Sequence, residues 1–392
     1  MPSSDPPPSS PTAEEETWTV GRLLAWTQQR FAQVGIDSPR IDAEHLLSHA
    51  LGCSRMSLYV DHDKAVNGPE RVRFRELVKR RLAREPVAYI EGKRGFHALD
   101  LELAVDGRVL IPRPETEHLV DWMLEELPPA GGLVRKGLDD VIEEPAEQDD
   151  DARGEEAEAS PISEEPRVEL LDESEPWVEA DASGSDAASE ARASSGSGAA
   201  SEARASSEAE PVEPAPPPPD HRAVLDVGTG SGAIALALKR ARPTMRVVAC
   251  DVSGDALAVA RSNAERLELA VELVQSDLLT RVTAPAGGWS AIAANLPYVR
   301  EPVWRGLAPE VRRFEPRLAL DGGEDGLDVI RRLVDEAPRQ LAPGGGLYLE
   351  IGYDQGQSVP ALLVARGFVD VAMRRDHAGH PRIVRGRWPG GA

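Results

Sequence analysis

The chain has 392 residues, a formal net charge of −23 and only 4% aromatic residues. That length accommodates two domains, no apolar run is long enough to span a bilayer, and the Pro/Ser-rich start from Met1 to Thr12 lacks the basic and apolar regions of a signal peptide. Two widely separated cysteines, Cys53 and Cys250, suggest neither a disulfide framework nor a metal cluster, so a cytoplasmic protein without a metal is the simplest expectation.

The acidity is local. Residues 139–220 hold 26 Asp and Glu against four Arg, a charge of −22, which leaves −1 for the rest of the chain. Arguments about partners must therefore be made segment by segment.

Residues 1–15 are expected to be disordered. From Trp18 to about Arg84 the pattern is helical: Val20, Leu23, Leu24, Thr27 and Phe31 recur at three- and four-residue steps and stop at Gly35. Pro39–Leu51 repeats the pattern up to Gly52, a short piece follows over Ser54–Val60, and Val72–Leu82 reads as a basic amphipathic helix that stops near Pro86. Residues 16–92 are thus expected to form a small helical domain. Arg71, Arg73, Arg75, Lys79, Arg80, Arg81 and Arg84 crowd its last helix. That is either a solvated face or a contact for RNA or an acidic protein.

Residues 93–127 change period. Phe96, Leu99, Leu101, Leu103 and Val105 precede Asp106-Gly107, and Val109-Leu110-Ile111 follows, the pattern of a β-hairpin. Pro112-Arg113-Pro114-Glu115-Thr116-Glu117 then opens a helix that runs to Leu127, with Thr116 or Glu115 at its start. Residues 128–220 are low complexity, and a nine-residue unit occurs twice, at 187–195 and 199–207. Such a composition buries too little apolar surface to offset ordering entropy and reads as a solvated insert.

From 221 onward strands and helices alternate: strand Val224–Val227, helix Ala233–Ala241, strand Val247–Cys250, helix Gly254–Leu267, and strands Val271–Val274 and Ala291–Ala294. Helix Leu327–Leu341, strand Leu347–Ile351, helix Gln357–Arg366 and strands Val369–Ala372 and Arg382–Val384 complete a doubly wound α/β domain over 221–392.

Three motifs fall at the carboxyl ends of its strands, where open α/β sheets bind ligands. Asp226-Val227-Gly228-Thr229-Gly230-Ser231-Gly232 joins a strand to a helix; its glycines admit close approach of backbone N–H groups, and the helix adds a positive end. Gly228, Gly230 and Ala233 equally fit a dinucleotide fingerprint. Asp251, 25 positions after Asp226, is placed to accept two ribose hydroxyls, or to cap the helix from Ser253. Ser276-Asp277-Leu278 offers an acid for an adenine amino group and a backbone N–H for the ring, or a plain turn.

The fourth motif, Asn295-Leu296-Pro297-Tyr298, suits a substrate with a planar –NH2. The Asn295 oxygen and the Leu296 carbonyl each accept one N–H, and Tyr298 stacks on the plane. The alternative is a strand followed by a proline turn with a core tyrosine.

Together these motifs resemble class I S-adenosylmethionine-dependent methyltransferases acting on planar amino groups. Val109 to Glu117 resembles the signature of the HemK/PrmC family, the peptide chain release factor glutamine methyltransferases. So do Glu85 to Ile90 with Gly92, Glu315 to Leu320 with Gly322, Gly323, Asp325 and Gly326, and Asp376 to Gly379 with Arg382. The resemblance covers about 17–127 and 222–388. It implies a Rossmann-like sheet with a C-terminal antiparallel hairpin, a small N-terminal helical bundle and a β-hairpin linker. It implies S-adenosyl-L-methionine as cofactor, held by Asp226, Gly228, Thr229, Gly230, Ser231, Gly232, Asp251, Asp277, Leu278 and Asn295. Asn295, Leu296, Pro297 and Tyr298 would bind the substrate, the Gln of a release factor Gly-Gly-Gln loop, and carry the transfer to its N5. The helical domain and hairpin would grip the release factor. A monomer, with no membrane and no direct nucleic-acid partner, is expected.

Two departures stand out. Leu296 replaces the first proline of the family's Asn-Pro-Pro-Tyr, which keeps a carbonyl acceptor but gives up the fixed φ of proline. Asn-Leu-Pro-Tyr itself resembles ribosomal RNA adenine dimethyltransferases, whose glycine motif differs. The family also has a short link where this chain carries its acidic insert. Alternatives are an adenine-N6 methyltransferase of RNA or DNA, a ribosomal-protein glutamine methyltransferase, a dehydrogenase using the same glycines, and a cofactor-binding protein with a degenerate site.

The insert yields a direct expectation. Replacing 139–220 by a short Gly/Ser link leaves methyl transfer to an isolated release factor nearly unchanged, because loop entropy grows only logarithmically with length. If the acidic segment instead shields the basic helix, deletion raises the rate at low salt and the difference fades with salt. Rates of both forms across an ionic-strength series decide between them, and loss of folding on deletion contradicts both.

Overall fold

In the computed structural model of the chain, residues 17–97, 99, 101–127 and 221–390 are described. The N-terminal tail and the acidic insert expected from composition lie outside these residues. The described chain forms two compact units, 17–91 and 92–390.

The first unit is helical: α1 Val20–Gln33, α2 Pro39–Leu51, α3 Arg55–Val60, α4 Gly68–Leu82 and α5 Val87–Glu91. Each boundary has a local cause. The Thr19 and Ser54 hydroxyls cap α1 and α3, and Asn67 and Glu70 form a reciprocal capping box at α4. Gly52, at φ +65°, closes α2. α1 and α4 both pack on α2 around Leu23, Phe31, Leu46, Leu47, Phe74 and Val78.

The basic stripe on α4 is less free than its sequence suggests. Arg81 is 6% exposed and its Nε donates to Asp42 at 2.7 Å. Arg80 pairs with Glu85, Lys79 with Glu76, and Arg84 donates to the carbonyls of Val34 and Gly35. Arg80, Arg81 and Arg84 thus tie α4 to other parts of the bundle, while the Lys79 pair stays within α4.

The second unit begins with β1 Lys93–Phe96 paired antiparallel to β2 Leu101–Ala104. A hairpin forms, but ahead of the turn expected at Asp106-Gly107: β1 and β2 pair directly from Phe96 and Leu101 outward. Around Asp106 the Arg108 N–H goes to the Asp106 side chain and the Val109 N–H to the Asp106 carbonyl, while the Ile111 N–H donates to Glu315 Oε2. Those donors are spent on a local turn and a distant carboxylate, so Val109–Ile111 makes no strand. α6 Pro114–Glu126 follows, with Arg113 as N-cap and proline at its first position. Thr116 does not cap it: its hydroxyl goes to Glu350.

The main sheet comprises β3 Ala223–Val227, β4 Arg246–Asp251, β5 Glu272–Gln275, β6 Trp289–Asn295, β7 Leu341–Glu350, β8 Val369–Arg375 and β9 Pro381–Arg387. Its order is β5-β4-β3-β6-β7-β9-β8; the first five strands are parallel, and β9 pairs antiparallel with both β7 and β8. The helices are α7 Ala233–Ala241, α8 Gly254–Arg266, the short α9 Glu301–Trp304 and α10 Pro309–Phe314, α11 Asp328–Glu336 and α12 Ser358–Arg366. α11 ends five residues before the expected Leu341, because Pro338 cannot continue an α-helix.

Strand alternation sorts the side chains into two cores. Val224, Val247, Ala291, Ala293 and Tyr348 meet α6 and α7 on one face. Leu225, Val248, Ile292, Leu347 and Leu349 meet α11 and α12 on the other. The strand order reverses between β3 and β6, which opens a crevice at their carboxyl ends. Both flanks of the insert are sewn into one core: Leu127 and Val224 share a cluster, and Arg242 donates to the carbonyls of Leu124 and Leu127.

Candidate active site

A cavity of about 390 Å³ occupies that crevice. Gly228, Thr229, Gly230, Ser231, Asp251, Asp277, Leu278, Asn295, Leu296 and Pro297 all line it, so three motifs far apart in sequence converge with the glycine loop. Asp226, Gly232 and Tyr298 do not line it.

Asp226 lies beneath the loop. Its Oδ2 accepts from the Thr229 hydroxyl at 2.6 Å and the Ala235 N–H at 3.1 Å, which fixes the loop to the start of α7. Its Oδ1 has no hydrogen-bond partner among the described residues. Burial pushes Asp226 up to about 7, against the pull of the Thr229 and Ala235 bonds and with Asp251 adding to the rise. Between roughly pH 4 and 7 the folded chain therefore holds this proton more tightly than the unfolded chain does. The associated stability is present below the unfolded value and is lost as pH rises through 7. Asp226→Asn is isosteric with the protonated acid. Relative to wild type, this variant gains on the order of 3 kcal/mol between pH 5 and pH 8, at 1.36 kcal/mol per unit. Urea unfolding at both pH values checks this; a pH-independent difference contradicts it.

Gly228 and Gly230 have φ of +73° and +54°, the left-handed region that favours glycine. A β-carbon on Gly228 would stand 3.3 Å from Leu296 Cδ2, so Leu296 packs directly on the glycine loop. Gly232 caps α7 at φ +88°, where Leu236 and Ala260 would crowd a β-carbon.

Asp251 ends β4 with its carboxylate at the cavity. It accepts the Gly230 N–H and the Ser253 N–H, each at 2.9 Å, while Ser253 itself caps α8. The capping alternative for Asp251 thus belongs to Ser253, and Asp251 braces the loop. Burial raises its pKa. Asp277 is held by Arg332 of α11 at 2.8 Å, and Leu278 is turned into the left-handed region at φ +47°. The apolar wall here includes Val252, 48% exposed, and Leu278.

Asn295 ends β6, and its Nδ2 donates to Thr116 Oγ1 at 3.1 Å. Leu296 is 3% exposed. Tyr298 stands behind the cavity: β-carbons on Gly322 and Gly326 would collide with its backbone, and one on Gly352 would touch its ring. Burial raises the Tyr298 phenol, and Glu350 adds to that rise against Arg382 and Arg113. The stacking surface expected of Tyr298 is therefore not part of this cavity's wall.

Two further residues organise the site: Glu315, whose segment carries the family resemblance but has no role assigned from sequence, and Asn263, which has no local signal. Glu315 is 5% exposed and holds both the Arg113 guanidinium and the Ile111 N–H, which ties the segment before α6 to the wall formed by Pro316 and Leu318. Asn263 of α8 accepts the Ala104 N–H at 2.7 Å and donates to the carbonyls of Ala104 and Ser231, each at 3.0 Å, joining the hairpin to the glycine loop.

The donor set fits an adenosyl cofactor. A carboxylate at the end of β4 faces the crevice, left-handed glycines bring backbone close at the start of a helix, and apolar side chains flank the third strand's end. The volume lies in the range of small-molecule sites.

Comparison with known proteins agrees. Residues 22–92 match the PrmC N-terminal domain family, and residues 224–314 the Methyltransferase domain family. The Release factor glutamine methyltransferase of Rhodopirellula baltica is 34% identical over 376 residues, covering 95% of this chain and 97% of its own. That of Geobacter sulfurreducens is 32% identical over 378 residues, covering 96% and 99%. A ribosomal protein L11 methylase from Lactobacillus delbrueckii subsp. bulgaricus superposes on 42% of this chain and 69% of its own, with a TM-score of 0.32 and 20% identity. With the methyltransferase sheet, the glycine loop and the Asn295 segment in place, and relatives matching along nearly their whole length, the chain belongs to the release factor glutamine methyltransferase family.

Proposed function

We propose that the protein transfers the methyl group of S-adenosyl-L-methionine to the side-chain amide nitrogen, N5, of the Gln in the Gly-Gly-Gln motif of peptide chain release factors, in the cytoplasm. The observation that carries this reading is Asn295 at the cavity edge with its NH2 already committed to Thr116, which leaves its oxygen as an acceptor. The cofactor supplies an electrophilic methyl on a sulfonium.

The chain's own residues do the rest. Asp251 would accept the ribose hydroxyls, the loop Gly228–Gly232 would bring backbone N–H groups to the cofactor, and Asp277 with Leu278 would read the adenine. An amide nitrogen is a poor nucleophile because its lone pair is delocalised into the carbonyl. The Asn295 oxygen and the Leu296 carbonyl accept its two N–H groups, aim the lone pair at the methyl and favour positive charge growing on nitrogen. Held this way, the substrate nitrogen would take the methyl while sulfur keeps the electron pair of the broken bond, and the methylated amide would lose its proton to solvent. Leu296 lacks the fixed φ of proline, and the burial of its side chain against the glycine loop is what would restrain this turn instead. Tyr298 supports this turn from behind.

Purified protein incubated with methyl-labelled S-adenosylmethionine and either a release factor or ribosomal RNA tests the reading. Label on the Gly-Gly-Gln glutamine, located by peptide mass spectrometry, is the expected result; label confined to RNA overturns it.

A further inference from the structure

Asn295 does not stand alone at the end of β6. Its register partner on β7 is Glu350, so the two side chains rise on one face of the sheet, one strand apart. Thr116, in the first turn of α6, bridges them. Asn295 Nδ2 donates to Thr116 Oγ1 at 3.1 Å, and Thr116 Oγ1 donates to Glu350 Oε2 at 2.6 Å. Thr116 is 4% exposed and Glu350 1%. Packing does not explain a carboxylate in that place, because an apolar residue of similar volume there costs less.

The two ends of an amide differ: the oxygen only accepts, the NH2 only donates. An ionised carboxylate also only accepts. Glu350 therefore takes the single hydroxyl proton of Thr116, the hydroxyl has only lone pairs left for Asn295, and Asn295 must turn its NH2 toward it. The oxygen is what remains for the cavity. We propose that Glu350, acting through Thr116, is the positioning residue that sets the direction of the Asn295 amide, a role that rests on reading Asn295 as the acceptor for the substrate amide.

The chain of bonds reverses on protonation. A protonated Glu350 can donate to Thr116, Thr116 can then donate to the Asn295 oxygen, and the amide is free to turn its NH2 to the cavity. Burial pushes Glu350 up to about 7; the Thr116 bond and the Arg382 and Arg113 charges oppose the rise, and Glu115 adds to it. The Tyr298 phenol also faces it. The productive direction is thus selected as pH rises through neutrality.

Four variants test this, read by kcat, by cofactor affinity and by the Asn295 amide resonances. Thr116→Val lowers kcat for methyl transfer to a release factor about tenfold, the effect of one oriented hydrogen bond, with the calorimetric Kd for S-adenosylmethionine within twofold of wild type. Thr116→Ser, which keeps the hydroxyl, restores kcat to within about threefold. In the protein without cofactor or substrate, the Asn295 side-chain amide resonances, assigned by their loss in Asn295→Ala, follow a single titration near neutral pH, and Glu350→Gln abolishes it. A Thr116→Val rate equal to wild type, a Thr116→Ser rate as low as that of Thr116→Val, or an Asn295 titration that survives Glu350→Gln overturns the proposal. If wild type labels no release factor, the functional reading fails, and the amide titration still decides the orientation. Thermal unfolding of each variant confirms that it is folded.

Discussion

Asn295→Ala lowers kcat for methyl transfer at least ~10²-fold and leaves cofactor affinity within a few-fold of wild type. The scale is that of removing one preorganised polar group from a site where charge develops. Two features support so large an effect. The side chain is held before substrate arrives, because its Nδ2 is bonded to Thr116 and its strand is paired with β3 and β7 on either side. No reorganisation is then needed at the moment of transfer. The remaining acceptor, the Leu296 carbonyl, takes only one of the two substrate N–H groups and cannot alone fix the direction of the nitrogen lone pair. The cofactor loop, by contrast, takes its side-chain hydrogen bonds from Asp226 and Asp251 and none from the Asn295 side chain. Steady-state kinetics with calorimetry separate the two effects. A variant within a few-fold of wild-type kcat removes Asn295 from the mechanism.

Most of this site is legible in the sequence because each motif marks the carboxyl end of a strand. The strand–glycine–helix pattern from Val224 to Ala241, and the apolar run ending at Asn295, fix which ends converge once a right-handed crossover is assumed. What is not legible depends on contacts across long separations. Glu315 meets Arg113 from 202 residues away, Thr116 meets Glu350 from 234, and Asn263 meets Ala104 from 159. The signature segments flag Glu315 and Thr116 without saying what either meets, and in sequence Glu350 is an acid at a strand end and Asn263 an asparagine in a helix. Thr116 was expected at the start of its helix and does lie in the first turn, but Pro114 begins the helix and its hydroxyl is needed elsewhere. The misplaced hairpin turn has the same origin. Asp-Gly at 106–107 is a strong turn signal, and a turn does form there. It redirects the chain toward Glu315 instead of folding β2 back on a third strand.

Asp251→Ala weakens S-adenosylmethionine binding by about 1.5–3 kcal/mol, the range for hydrogen bonds to a charged group, or more than tenfold in Kd. The carboxylate acts on the cofactor in two ways. Its free lone pairs face the cavity and accept ribose hydroxyls, and its two oxygens each hold a backbone N–H, of Gly230 and of Ser253. Losing the first contact lowers affinity directly. Losing the second releases Gly230, whose left-handed conformation keeps the loop close to the cofactor. Asp251→Asn separates these effects, since its amide oxygen still accepts one backbone N–H while its NH2 cannot accept at all. Its affinity falls between those of wild type and Asp251→Ala. The start of α8 survives in both variants, because Ser253 and not Asp251 caps it. Calorimetric titration with S-adenosylmethionine, alongside thermal unfolding, checks both halves. An affinity unchanged in Asp251→Ala contradicts both contributions to cofactor binding, and a fall in stability as large as the fall in affinity places the role of Asp251 in the fold of β4 and α8.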